Sequence, residues 1–396
     1  MNFDERNPIN FIKTLNVMIP LSQPYLEGNE WKYVKDCLDT GWISSAGAYV
    51  TQFERMVADY VGAKFGIACM NGTVGLHLSL LAIGVDSKSH VIVPNLTFIA
   101  TLNAVKYLGA KPILIDVDTH NWQLDLNLLE QFLSENTYIK DDYCYHKATH
   151  LPIKAIVPVH VFGNMCDISK IIELSKKYHI QIIEDSTESL GTVTKGKHSG
   201  TFGELGVFSF NGNKIISTGG GGVIVTNNEQ LAKQIKHLTT QAKSNPEEYI
   251  HDAIGYNYRL VNVLAAIGVA QLEQFPKILK KKQNIDKYYR NHLNGIGDII
   301  FQEVSKDVTT NCWLFTFKTQ KMRALISFLN DHSIMCRPIW KPMNELEMFQ
   351  KDTYITSKNV SKEIYNACIS IPSSAGLSKK EMNKVVSTIK EFYEKY

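Results

Sequence analysis

The chain has 396 residues, 44% hydrophobic and 20% charged, which at roughly 150 residues per domain leaves room for two to three domains and excludes a disordered or collagen-like chain. The 42 Lys and Arg against 39 Asp and Glu leave a net charge of only +3, so no chain-wide basic field draws nucleic acid, and any anion site has to be local. Seven cysteines lie far apart with no C-x-x-C pair, which favours reduced thiols over a zinc ribbon or a disulfide framework, and no metal site is expected.

The N-terminus, MNFDERNPINF, carries acidic residues and no apolar h-region, and no segment approaches about 18 uninterrupted apolar residues, so a cytoplasmic protein without a membrane span is expected. Residues 1–30 read as an N-terminal arm, 31–245 as a large domain and 246–396 as a smaller one. In the large domain, β-rich apolar runs at 65–69, 90–94, 112–117, 155–159, 181–184, 207–210 and 222–225 alternate with segments of helical period, among them Val74 to Leu81, Ile168 to Leu174 and the stretch after Thr97. This alternation predicts an α/β fold with a mostly parallel, seven-stranded sheet. The polar, aromatic-spotted stretch 134–154 breaks the pattern and reads as an inserted loop or small hairpin. Past Ser244 the alternation ends. A helical segment from Val261 through Lys282, whose basic run Lys280–Lys282 reads as a solvated face, leads through mixed elements to a helix at 379–393, the pattern of a smaller α+β domain.

Ligands of such sheets gather at the carboxyl ends of the strands, and four strand ends carry chemistry. Cys69-Met70-Asn71-Gly72-Thr73 turns from strand to helix, where free N–H groups, a glycine and a hydroxyl would seat a phosphate; a simple turn with an N-capping threonine fits equally. In Pro94-Asn95-Leu96-Thr97-Phe98 the aromatic is placed either to stack on a flat ring or to enter the core. In IIEDSTESLG, Asp185 closes an apolar strand and needs a cationic partner, such as a protonated pyridine nitrogen, unless it caps a helix. In SFNGNKIISTGGGG, Lys214 stands among small and apolar residues that desolvate its amine and favour the uncharged nucleophile; alone, it could equally sit on a surface turn. The four glycines Gly219 to Gly222 form neither a Walker A loop nor a dinucleotide fingerprint.

Together these segments resemble the DegT/DnrJ/StrS group of pyridoxal-phosphate-dependent nucleotide-sugar aminotransferases. The likeness runs nearly end to end, through SQPYLEGNEWKYV, WISSAG, NGTVGLHL, VPNLTFIATLNAVKYLGAKPILIDVD, VPVHVFGN, IIEDSTESLG, GVFSFNGNKIISTGGGG, IGYNYRL and RPIW. It implies the type I (aspartate aminotransferase) fold and the cofactor pyridoxal 5′-phosphate, with pyridoxamine 5′-phosphate as its intermediate form. It makes Lys214 the lysine that bonds the cofactor and Asp185 the partner of its pyridine nitrogen. Glu188 falls beside the 3-oxygen, Phe98 on the ring face, and Gly72, Thr73 and Ser209 on the phosphate. Asn257 matches an asparagine that reaches the phosphate from a neighbouring subunit, which implies a homodimer with sites at its interface. His160 occupies a position near the cofactor, with a structural histidine at a strand end as the competing reading. Trp340 and Lys341, after Arg337-Pro338, resemble a loop facing the sugar nucleotide, and Ser44, Ser45 and Gly47 are placed there as well.

The implied reaction takes an amino group from L-glutamate to a nucleotide-linked 4-keto-6-deoxy sugar. The insertion 134–154 and the run KHSGTFGELGVFSFNGNKIISTGGGG, with Thr239-Thr240 further on, point within the group to the enzymes that make UDP-linked 4-amino-4,6-dideoxy-N-acetylglucosamine for bacillosamine- and legionaminic-type sugars. The alternatives are a GDP-linked perosamine type or a 3-keto sugar, and a catalytically silent protein that uses the scaffold for binding. A dehydratase of the group typically carries histidine at the position of Lys214.

Overall fold

A computed structural model of the chain describes residues 18–245 and 247–396; the first 17 residues of the expected N-terminal arm lie outside it. All seven predicted strands form, and they join one sheet in the order Phe65–Cys69, Gly222–Thr226, Leu205–Ser209, Gln181–Asp185, Ile153–Ile156, His90–Pro94, Lys111–Ile115 and then Thr353–Ile355. The sheet therefore has eight strands, not seven. The edge strand Thr353–Ile355, only three residues long, is too short to show a period and comes from the C-terminal part of the chain. Gly222–Thr226 runs antiparallel to both neighbours, and every other pairing in the sheet is parallel. The carboxyl ends of the strands finishing at Cys69, Pro94, Asp185 and Ser209 thus lie along one edge.

Both faces of the sheet are buried, which is why its strands read as continuous apolar runs. Val91 and Val93 pack with Leu76, Leu78 and Leu114 on one side, while Ile92 between them packs with Phe132, Ile171 and Leu174 on the other. The ladder of Ile153–Ile156 ends earlier than the apolar run 155–159 suggests, because Pro158 has no N–H to donate. The insertion continues the helix Leu126–Asn136 and then folds as a hairpin, Thr137–Lys140 with Tyr143–His146, through Asp141 and Asp142, both at positive φ. Its return leads directly into the start of Ile153–Ile156, where His90 N–H donates to Pro152 O at 2.8 Å. The hairpin consequently sits at the N-terminal edge of the sheet, opposite the strand ends that carry the candidate chemistry.

The helix expected from Val261 through Lys282 is two helices, Asn262–Glu273 and Phe275–Leu293, joined at Gln274; Pro276 in the first turn of the second cannot donate back to the first. The first packs with Phe53 and Val57 against the large sheet. The second starts in that same core with Phe275 and Ile278 and continues through Ile285, Tyr289 and Leu293 into a separate core, built on the antiparallel sheet Ile300–Phe301, Phe315–Lys318, Cys368–Ile371 and Arg337–Pro338 and closed by Met322–Asp331 and Lys379–Lys395. The basic run is not a solvated face. Lys280 is exposed, but Lys282, two residues on, turns inward and is buried. The seven cysteines are free thiols, and among the described residues no helix is long and apolar enough to cross a membrane.

One buried carboxylate ties the C-terminal part of the chain to the large sheet. Asp116, fully buried just after Lys111–Ile115, accepts the N–H groups of Val117, Val360 and Ser361 and the hydroxyl of Thr356. Asp116→Ala would strand these donors in the interior, so it is expected to cost about 3 kcal/mol of stability. Urea unfolding of wild type and variant measures it, and a loss below about 1 kcal/mol would contradict the role.

Candidate active site

At the carboxyl edge of the sheet each strand end delivers a different group. After Phe65–Cys69 the chain turns into the helix Gly72–Ala82, where Asn71 Oδ1 accepts the N–H of Val74 at 3.0 Å. The N–H groups of Gly72 and Thr73 precede the first intrahelical bond and stand at the positive end of the helix dipole. A Cβ on Gly72 would lie 2.9 Å from Thr187 Cγ2 and 3.1 Å from Ser209 Cβ, so any side chain there would fill the cradle between helix and strand end. Gly72, Thr73, Ser209, Phe98, Asp185, Glu188, Lys214 and Trp340 all line one cavity of ≈330 Å³. The cradle, the helix dipole and the hydroxyl suit a phosphate.

Asp185 ends its strand 3% exposed, and two donors hold its carboxylate: Thr101 Oγ1 at 2.7 Å and the N–H of Thr187 at 3.2 Å. Phe98, half exposed at 54%, forms a wall of the same cavity. A flat ring with an N–H directed at Asp185 would complete the carboxylate's partners and cover the phenyl face, so the residues fit pyridoxal phosphate.

Three residues beyond Asp185, Glu188 is buried and accepts the N–H of Phe162 at 2.9 Å, with Lys214 Nζ 3.4 Å away. Burial drives its carboxyl up to about 7, helped by Asp185 and only partly opposed by Lys214 and the Phe162 N–H. Phe162 reaches it by adopting φ 59, a left-handed conformation that bulky residues seldom take. The Lys214 amine also lies 4.3 Å from the centroid of the Trp313 ring.

Several predicted site residues stand elsewhere. His160 is fully buried behind the strand ends, outside the cavity lining, with Nε2 3.0 Å from Glu184 Oε2 and Nδ1 3.7 Å from Cys166 Sγ. Burial alone would lower its pKa, but Cys166 and Glu184 outweigh that and raise it to about 10. Glu184 also accepts the N–H groups of Gly200, Phe202 and Gly203. His160 is thus paired with Glu184 in the interior behind the strand ends. Ser44 is exposed and its carbonyl accepts the N–H of Asn262 at 2.7 Å, while Gly47 lines a separate shallow cleft with Trp42 and Tyr49. Ser45 is half-buried beside them and outside the cavity lining. Asn257 is exposed and bridged to Thr240, away from its own chain's cavity. Trp340 stacks flat on Phe162, with 5.0 Å between centroids, whereas Lys341 points to solvent outside the lining.

Thr101, Thr187, Asn211, Asn213 and Trp313 also border the cavity and were not singled out by sequence. Thr101 had a local signal, since it stands one turn after Thr97, whose hydroxyl lies 3.1 Å from its own. Trp313 had none, because nothing near residue 313 indicates that its indole Nε1 donates to the carbonyl of Asn213, 2.8 Å away and 100 residues distant in sequence.

A family model described as the DegT/DnrJ/EryC1/StrS aminotransferase family matches residues 24–390. A GDP-perosamine synthase of Escherichia coli O157:H7 is 38% identical over 378 residues, covering 95% of this chain and 98% of that protein. A GDP-perosamine synthase of Caulobacter vibrioides is 35% identical over 381 residues, covering 94% and 97%. Among solved structures, a DegT DnrJ EryC1 StrS aminotransferase from Brucella abortus superposes with a TM-score of 0.85 at 23% identity, covering 98% of each chain.

Glu188 keeps its proton in the fold up to about pH 7, whereas an unfolded glutamate releases it near 4.5. The native state therefore binds more protons between those values, and the associated stability is complete below pH 4.5 and lost as pH rises through 7. Relative to Glu188→Gln, which cannot ionise, the cofactor-free wild type is expected to lose about 3 kcal/mol between pH 4.5 and 8. Urea unfolding across that range checks it; parallel pH profiles for the two proteins would remove the assignment.

Proposed function

The chain belongs to the DegT/DnrJ/EryC1/StrS aminotransferase family, and from that premise we propose that it transfers the amino group of L-glutamate to C4 of a GDP-linked 4-keto-6-deoxy sugar, the perosamine type of product. It is a pyridoxal-phosphate-dependent aminotransferase. The observation that carries the choice of sugar nucleotide is the end-to-end identity of 38% and 35% with two GDP-perosamine synthases. The UDP-linked acetamido sugar is the weaker reading. One of the two features that pointed to it was the insertion, and that hairpin stands at the edge of the sheet opposite the cavity, out of reach of a substrate bound there in its own subunit.

In this reading the N–H groups of Gly72 and Thr73 and the hydroxyl of Ser209 hold the cofactor phosphate, Phe98 covers one ring face, Asp185 keeps the pyridine nitrogen protonated, and Glu188 stands beside the 3-oxygen. When bound, the cofactor supplies an electron sink that lets an amine be taken from one carbon and given to another. The protein's part is proton management. Nζ of Lys214 takes the α-proton of glutamate and, in the opposite half of the cycle, delivers a proton to C4 of the sugar. Glu188 holds Lys214 within reach, and the walls Phe98, Trp313 and Trp340 keep water from the amine. A cavity of ≈330 Å³ lies at the small end of ligand sites, so in this reading the nucleotide extends beyond it, past Trp340 of the lining and toward the exposed Lys341.

The second subunit enters through Asn257. It is exposed and outside its own cavity lining, shortly after the exposed apolar side chains of Tyr249, Ile250 and Ile254 in the chain, and both features support a homodimer in which it reaches the partner's phosphate seat.

Lys214→Ala is expected to abolish borohydride trapping of the cofactor on the protein; trapping on another lysine would refute its role. Asp185→Ala should keep the fold and lower turnover by about a hundredfold or more, and near-normal kinetics would sink that assignment. With L-glutamate as donor, product mass and NMR should show a C4 amine from GDP-4-keto-6-deoxymannose. A higher kcat/KM on UDP-4-keto-6-deoxy-N-acetylglucosamine would overturn the nucleotide while leaving the aminotransferase standing.

A further inference from the structure

Lys282 carries the charge least accounted for by the reaction. It lies on the helix Phe275–Leu293, 3% exposed, and its Nζ donates to two main-chain carbonyls, those of Trp313 and Ser373. Burial lowers its amine to about 7, against the opposing pull of Cys312 and Asp286. A buried cation whose partners are main-chain carbonyls alone is costly to desolvate, and its removal would leave both carbonyls without that donor.

The two carbonyls lead in different directions. Ser373 belongs to the small-domain side, where its N–H donates to Leu21 O and its hydroxyl accepts the N–H of Phe315. Trp313 belongs to the cavity. Its N–H donates to Asn311 Oδ1 at 3.0 Å, and Asn311 in turn donates to the carbonyl of Glu188 at 2.7 Å. Its indole Nε1 donates to the carbonyl of Asn213, next to Lys214, and its ring faces the Lys214 amine. The other charged or titratable groups facing Lys282 are Cys312 and, one turn along its own helix, Asp286, which Arg290 pairs at 2.9 Å.

We propose that Lys282 is a positioning residue for the transfer reaction: by holding the carbonyl of Trp313 it fixes the indole against Asn213 and Lys214, and so sets the direction in which Lys214 presents its amine. The inference rests on the reading of Lys214 as the cofactor-bonding lysine.

The test uses the holoenzyme of the wild type, Lys282→Met, Trp313→Phe and the double variant. The first readout is the pH titration of the visible absorbance band of the bound cofactor, and the second is kcat and KM with glutamate and the sugar nucleotide. Lys282→Met is expected to bind cofactor, to shift the band's titration midpoint by about half a pH unit or more, and to lower kcat about tenfold with the sugar-nucleotide KM little changed. Because the effect runs through the indole, the double variant should be no worse than Trp313→Phe alone. An unshifted midpoint in Lys282→Met, or losses that multiply in the double variant, would overturn the proposal. Should Lys282→Met fail to fold, Trp313→Phe decides: a shifted band supports the route through the indole, and an unshifted one removes it. A wild-type holoenzyme without a visible band would instead overturn the reading of Lys214, and this inference with it.

Discussion

The cavity depends on keeping two carboxylates, Asp185 and Glu188, buried three residues apart at the end of one strand. Burial of either without donors would cost several kcal/mol, and like charges so close make the requirement stricter. The donors come from four different places in the chain: Thr101 and Thr187 for Asp185, Phe162 and Lys214 for Glu188. The parallel sheet makes this possible by bringing strand ends that are distant in sequence to one edge. The same edge carries the start of the helix at Gly72, whose dipole places positive potential opposite the carboxylates. A ligand with a phosphate at one end and a protonated ring nitrogen at the other matches both.

The surroundings show what holding that arrangement requires. Phe162 takes a left-handed conformation, worth about 1–3 kcal/mol of strain, to aim one N–H at Glu188, and its ring then stacks on Trp340. Directly behind Asp185, the pair of His160 and Glu184 is fully internal, with Glu184 accepting three further N–H groups. These donors keep Glu184 below its ordinary range despite burial. The second sheet contributes too, since Asn311 and Trp313, on the segment leading into Phe315–Lys318, tie it to the loop of Glu188 and to Asn213.

Much of this was legible in the amino-acid order. The seven main strands follow from apolar runs buried on both faces, and Gly72, Thr73, Phe98, Asp185 and Lys214 stand at or near helix starts and strand ends with local chemical signatures, whereas Glu188, Ser209 and Trp340 are indicated by the family resemblance alone. The failures also have physical causes. A three-residue edge strand has no period to read. Lys282 sits in a run of lysines whose composition suggests solvent, and only the packing of Trp313 and Ser373 around it turns one of them inward. Resemblance named His160, Ser44, Ser45 and Gly47, which this chain's own cavity lining does not include, and assigned Asn257 to a neighbouring subunit's phosphate, which a single chain does not display.

By itself, then, the sequence determined the element types, the α/β alternation and which polar groups stand at strand ends, since each depends on neighbours within a few residues. Which of those groups meet was decided by tertiary structure alone. Thr101 and Asp185 are 84 residues apart, Asn213 and Trp313 100, and Lys282 and Trp313 31. Contacts over such separations follow from strand order and from the docking of the second, antiparallel sheet and its helices, and no local period or propensity encodes them.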